Sequence, residues 1–184
     1  MYILLVASTE KELAPFIKMV DKQQFREPEI LIAGVGMPVF SYSLMKRLAA
    51  DRPDLIIGAG IAGSFSSNLL PGELLLVTND CFADIGAGED NAFEDVFTLK
   101  LDEPDRFPYV KGSIPCNYPL DDLDTGIRKG RGITVNHIRT DSAVNEFRKK
   151  YYHADIESQE GAALHYICNM ENIPFIHLRA VSNV

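Results

Sequence analysis

The sequence has few cysteines, no basic excess and no long apolar run, and each shortage removes a class of protein. Only three cysteines occur, Cys81, Cys116 and Cys168, far apart and odd in number. They offer neither a disulfide framework nor a CxxC pair, and a reducing cytoplasm is the setting they suggest. The formal net charge is −8. A general nucleic-acid binder shows a basic stripe instead, so no nucleic-acid partner is expected. The apolar start Tyr2-Ile3-Leu4-Leu5-Val6-Ala7 lacks a basic flank and stops at Ser8-Thr9-Glu10. A membrane span takes about 20 apolar residues, so this run reads as a buried first strand and no membrane partner is expected. No internal repeat divides the 184 residues, and that length predicts a single domain over 1–184.

What is present is an alternation of short apolar runs with helix-period segments. Strands are expected at 2–7, 30–33, 54–57, 73–77, 132–135, 155–156 and 174–181. Helices are expected from Thr9 to Val20, from Gly36 to about Ala50, from Ser142 to Tyr151 and from Glu160 to Met170. Thr9 with Glu12 three residues on has the spacing of a capping box. Alternating strands and helices with unbroken apolar strands predict an α/β fold, a mixed but mostly parallel central sheet flanked by helices. In such sheets ligands sit beyond the carboxyl ends of the strands.

Two segments need separate reading. Cys81 to Arg106 is rich in Asp, Glu, Gly and Asn, with Phe82, Phe93 and Phe97 between them. It reads as a solvated acidic loop with aromatic anchors, the alternative being a lid or subunit contact. Its carboxylates do not follow the spacing of a calcium loop. Gly58-Ala59-Gly60-Ile61-Ala62-Gly63 matches GxGxxG after a strand, and Asp80 follows at the distance of a ribose-binding acid, about 20 residues on. A dinucleotide site needs the third glycine to open a helix. Here Ser64 to Leu70 is short and poor in helix formers and ends at Pro71-Gly72. A glycine-lined loop that lets a flat ring approach the backbone is the expected structure.

Four segments in order then carry a resemblance. They are Ala7-Ser8-Thr9-Glu10-Lys11-Glu12-Leu13, the run Gly58 to Gly63, Ile156-Glu157-Ser158-Gln159-Glu160-Gly161-Ala162-Ala163, and Arg179-Ala180-Val181-Ser182-Asn183. Together they resemble the nucleoside phosphorylase and nucleosidase family over nearly the whole chain. Asn183 replaces the Asp of the methylthioadenosine/S-adenosylhomocysteine branch, and Ile61 replaces a Ser. With Phe82-Ala83-Asp84-Ile85-Gly86, these features are similar to the futalosine-hydrolysing branch, which releases hypoxanthine in a menaquinone route. Gln159 departs from both, where Met is expected against the ribose. The family also continues past Ser-Asn into a C-terminal helix, which is apparently absent from this chain.

The resemblance implies that a small purine nucleoside is the partner, that no cofactor is used and that copies form homodimers or larger homo-oligomers. It implies that Glu12 activates water and that Glu160 accepts from the ribose hydroxyls beside Gln159. Ile61, Ala62 and Gly63 would line the base, and His137 lies near the base-contact segment. Asn183 would donate to purine N7 and a 6-oxo group, since an amide always offers an NH2 and never a proton for transfer. No His pair has zinc spacing, so no metal is expected. His153, His165 and His177 read as packing or surface residues. Water is the expected acceptor, because Gly34-Val35-Gly36 is not followed by the arginines that clamp phosphate.

Overall fold

The structure is a computed structural model that describes residues 1–20, 28–89, 92–123 and 125–184. Asp90 and Asn91 of the acidic segment lie outside the described residues. The first strand, β1 (Ile3–Ala7), is buried along nearly its whole length, as its apolar run requires. Helix α1 (Glu10–Val20) follows directly and packs Leu13, Phe16 and Ile17 on one face of the sheet, over Leu5, Ala7, Ile57 and Ala59. Strand β2 (Glu29–Ile32) pairs in parallel with β1 at the sheet edge. Helix α2 (Met37–Ala50) carries a proline at its start, where a missing N–H costs no helical bond.

Strand β3 (Leu55–Ser64) is the axis of the molecule. The glycine segment expected to be a loop is the second half of this strand. No helix opens at Gly63, which removes the dinucleotide reading. One edge of β3 pairs with β1 at its start and with β9 (Ile156–Ser158) at its end. The other edge pairs along most of its length with β10 (Phe175–Asn183). β10 pairs with β4 (Leu74–Asp80), β4 with β8 (Arg128–Thr134), and β8 with β9. The path β3-β10-β4-β8-β9 therefore returns to β3 and closes a small barrel, with β1 and β2 extending from it as an open sheet. The expected mixed, mostly parallel sheet is present. Two antiparallel contacts, β10 on β4 and β9 on β3, are what close the ring.

Ala62, Leu69, Leu75, Val77, Ile156 and Val181 form an apolar cluster among the ring strands. The larger core packs α2 and α4 (Gly161–Met170) on the sheet through Phe40, Leu44, Leu164 and Phe175. Helix α3 (Ser142–Tyr152) is capped by Asp141, whose carboxylate accepts from the Ala143 and Val144 amides. The acidic segment contains two short strands, β5 (Gly86–Ala87) and β6 (Glu94–Asp95), which pair with each other. The aromatic anchoring is real: Phe97 lies edge-on to Tyr109, and Phe82 packs on Tyr166. One more short strand, β7 (Ile114–Pro115), pairs with β4.

Candidate active site

The carboxyl ends of β1, β3, β9 and β10 surround a cleft of about 470 Å³ lined by Glu12, Ile61, Ala62, Gly63, Gln159, Glu160 and Asn183. Seven of the eight residues singled out from the sequence are thus brought together. His137 is the exception. It lines a neighbouring hollow with Asp84, Phe93 and Arg148, while the next residue, Ile138, lines the cleft. The backbone passes the cleft margin there, and the two adjacent side chains diverge.

Glu12 is half-buried and held by three donors. Oε2 accepts from the Thr9 amide at 2.8 Å and the Thr9 hydroxyl at 2.9 Å, and Oε1 accepts from the Ile61 amide at 3.0 Å. The carboxylate half of the capping box therefore exists, and it aims the same carboxylate at the cleft. Glu160 is buried at the start of α4 but makes no cap bond. Its Oε1 accepts from the Gly36 amide at 2.8 Å, and its Oε2 lies 3.9 Å from the Arg179 guanidinium. The Gly34-Val35-Gly36 turn thus gives an amide to Glu160, one that a phosphate-cradling turn would give to an anion.

Gln159 turns its amide away, donating to the Asn136 carbonyl at 2.9 Å. Its NH2 is thereby paired with protein. Ser182 and Asn183 belong to β10, with a register shift between Val181 and Asn183. Such a bulge re-aims a side chain at a strand end. The Ser182 hydroxyl lies 2.7 Å from Asn183 Oδ1 and 3.1 Å from the Ala62 carbonyl, and its one proton serves either acceptor. In this orientation the Asn183 NH2 is the end of the amide without a protein partner among the described residues.

Arg179 is the site residue that sequence reading missed. Strand β10 alternates buried and half-buried positions, which puts Phe175, His177, Arg179 and Val181 on one inner face. Register sets Arg179 opposite Gly60 and His177 opposite Gly58. A Cβ at Gly60 would lie 2.2 Å from the Arg179 guanidinium and 2.8 Å from Glu12 Oε1. A Cβ at Gly58 would lie 2.2 Å from Leu164, and one at Gly63 3.3 Å from Asn183. The glycine run therefore makes room for the protein's own side chains. Burial lowers the Arg179 pKa, while Glu160, Glu12 and Asp80 hold its charge. The available signal was the period-two placement of two ionisable residues within an apolar strand.

Beside the cleft, Arg148 of α3 pairs with Glu157 of β9 at 3.1 Å, both largely buried. Burial raises the Glu157 pKa and Arg148 opposes the shift. Below the cleft, Asp80, His165 and His177 bring possible ligand atoms within 4.8 Å of one another. Each imidazole nitrogen already holds a protein partner: Ile114 and His177 for His165, and His165 and Arg179 for His177. With the Arg179 cation bonded to one of them, this donor set does not suit a metal ion.

The chain belongs to the phosphorylase superfamily, whose pattern matches residues 3–184. It is similar to a 5′-methylthioadenosine/S-adenosylhomocysteine nucleosidase of Buchnera aphidicola, 21% identical over 190 residues, 95% of this chain and 75% of the relative. Among solved structures it is similar to the Campylobacter jejuni enzyme of that name, with TM-score 0.78, 19% identity, and 100% and 86% of the two chains covered. It is also similar to the futalosine hydrolase of Helicobacter pylori, with TM-score 0.80, 17% identity, and 100% and 84% covered. At these identities the structural likeness concerns the fold.

Proposed function

We propose that this protein is a purine nucleosidase that hydrolyses futalosine to hypoxanthine and dehypoxanthine futalosine, a step of menaquinone biosynthesis, in the cytoplasm. Water attacks the anomeric carbon as the bond to the base breaks. Glu12 takes the proton from that water. Glu160 accepts from the ribose hydroxyls and places negative charge near the cationic sugar. Gln159 lays its stem along the ribose. Asn183 donates a hydrogen bond to the departing base, which leaves as its anion and takes up a proton from solvent water. Ile61, Ala62 and Gly63 supply the surface on which the base lies.

The observation that carries the choice of substrate is the orientation of Asn183. With Oδ1 toward Ser182, its NH2 is left for a purine N7 and a 6-oxo group. A 6-amino group facing that donor is mispaired, which costs about 1–3 kcal/mol and discriminates about 5- to 150-fold. A second reading, 5′-methylthioadenosine/S-adenosylhomocysteine hydrolysis, is favoured by the relatives with that activity. It requires the amide to flip so that its oxygen meets the 6-amino group.

The test is chromatography of the bases released from futalosine, inosine and methylthioadenosine, with Glu12→Gln as control. Hypoxanthine from futalosine, lost in the control, is the expected outcome. Adenine from methylthioadenosine alone overturns the role given to Asn183. No base from any substrate replaces turnover by nucleoside binding.

A further inference from the structure

We propose that His177 and His165 are positioning residues that lock Arg179 in the one orientation from which it faces Glu160, a role that rests on the nucleosidase reading. Three hydrogen bonds make the lock. Arg179 Nε lies 2.7 Å from His177 Nε2, His177 Nδ1 lies 3.0 Å from His165 Nε2, and His165 Nδ1 lies 2.8 Å from the Ile114 carbonyl. The chain has only one possible direction. A guanidinium has no acceptor and a carbonyl has no proton to give. Arg179 therefore donates to His177, His177 to His165, and His165 to Ile114. Both imidazoles are neutral, and both carry their proton on Nδ1.

The far end of the guanidinium is the working end. Nη1 donates to the Ile61 carbonyl at 3.3 Å and Nη2 faces Glu160 at 3.9 Å. These contacts alone are long for a charged donor. The short bond at Nε is the one that sets the rotation of the planar fork. His165 and His177 have no exposed surface. Burying two imidazoles where aliphatic side chains would fill the space is costly unless every polar atom is paired. Here every ring nitrogen is paired, and the chain leads from a backbone anchor on β7 to the cleft. Gly60 sits directly across from Arg179 and leaves its guanidinium room, and Gly161 at the start of α4 leaves room for the His177 ring, which a Cβ there would meet at 2.8 Å. The two histidines thus act on the site only through Arg179.

The test compares three variants by calorimetric binding of a purine C-nucleoside, whose carbon–carbon link cannot be hydrolysed. His177→Leu removes the acceptor for Arg179. His177→Gln restores an acceptor toward Arg179 and a donor toward His165. Ile167→Val trims the core on α4, the helix that carries His165, without touching the hydrogen-bonded chain. Expected is a loss of affinity of about 10- to 100-fold in His177→Leu, with the other two within about threefold of the parent. Equal losses in Leu and Gln variants that follow the melting temperature, or full affinity in His177→Leu, overturn the proposal. If the parent protein does not bind the probe, the nucleosidase reading fails, and nitrogen NMR of the free protein judges the lock. Two Nδ1–H imidazoles and a slowly exchanging Arg179 Nε–H, retained in Gln and lost in Leu, support it. Any other tautomer pair, or an Arg179 proton that exchanges equally fast in all variants, overturns it.

Discussion

Gly60 shows how one residue's missing side chain sets the chemistry of its neighbours. Glu12 comes from the first helix and Arg179 from the last strand, and both reach the space a Cβ would occupy at Gly60. Neither can retreat cheaply. Glu12 is tied to Thr9 and Ile61, and Arg179 is held at His177. Gly60→Ala is expected to cut kcat/KM by at least about 100-fold, the scale of an ångström of misplacement at a reacting group. The cost in stability should stay near 1–3 kcal/mol, as for other overpacked cores. Nucleosidase kinetics beside thermal unfolding check this, and an active Gly60→Ala protein would show that the carboxylate can move despite its bonds to Thr9 and Ile61. The legibility of single residues was uneven. Glu12, Glu160 and Asn183 stood out by their order along the chain. Arg179 did not, because its meaning depends on which glycine faces it across the sheet.

At the scale of elements, α4 and β10 are joined by the His165–His177 bond as well as by apolar contact, and this makes their union sensitive to acid. Burial holds His177 well below its ordinary pKa and His165 down to about 3. Both are neutral in the folded protein and protonate near pH 6.5 when unfolded. Below that pH the unfolded state binds more protons, so stability falls as pH falls. Each histidine contributes about 1.4 kcal/mol per pH unit between its two pKa values. Asp80 acts in the opposite sense. Burial raises it to about 7, so the folded state takes up a proton before the unfolded state does, and its contribution is lost as pH rises through 7. The expected difference between parent and His177→Gln is therefore a pH slope that opens below pH 6.5, with the parent losing stability faster as pH falls and a limit of about 1.4 kcal/mol per pH unit. Urea unfolding at a series of pH values measures it, and parallel curves would mean that His177 titrates alike in both states.

At the scale of the whole molecule, one apolar stripe has no partner among the described residues. Val39, Tyr42 and Met45 stand exposed along α2, and Tyr42 has 70% of its surface open. Val35, just before the helix, is exposed and also lines the cleft. A contiguous apolar patch at the margin of a site is the kind of surface proteins bury on association. Two copies meeting through this face would explain it. The parent is expected to run as a homodimer or larger assembly in light scattering, and Val39→Glu with Tyr42→Glu as a monomer. A monomeric parent would leave the stripe without that purpose.

The sequence by itself determined the α/β class, the positions of most strands and helices, and the ordered motifs that bring Glu12, Glu160 and Asn183 to one end of the sheet. Those features are local. They follow from apolar period, from capping and turn residues, and from the rule that strand ends gather ligands. Only the tertiary structure decided that the glycine run is strand, that the ring of strands closes through antiparallel pairs, and that His137 faces a different hollow from Ile138. It alone joined Arg179 to His177, His165 and Ile114. The physical reason is that register between distant strands fixes these relations. A partner across the sheet 119 residues away, such as Gly60 for Arg179, leaves no periodic trace in either segment.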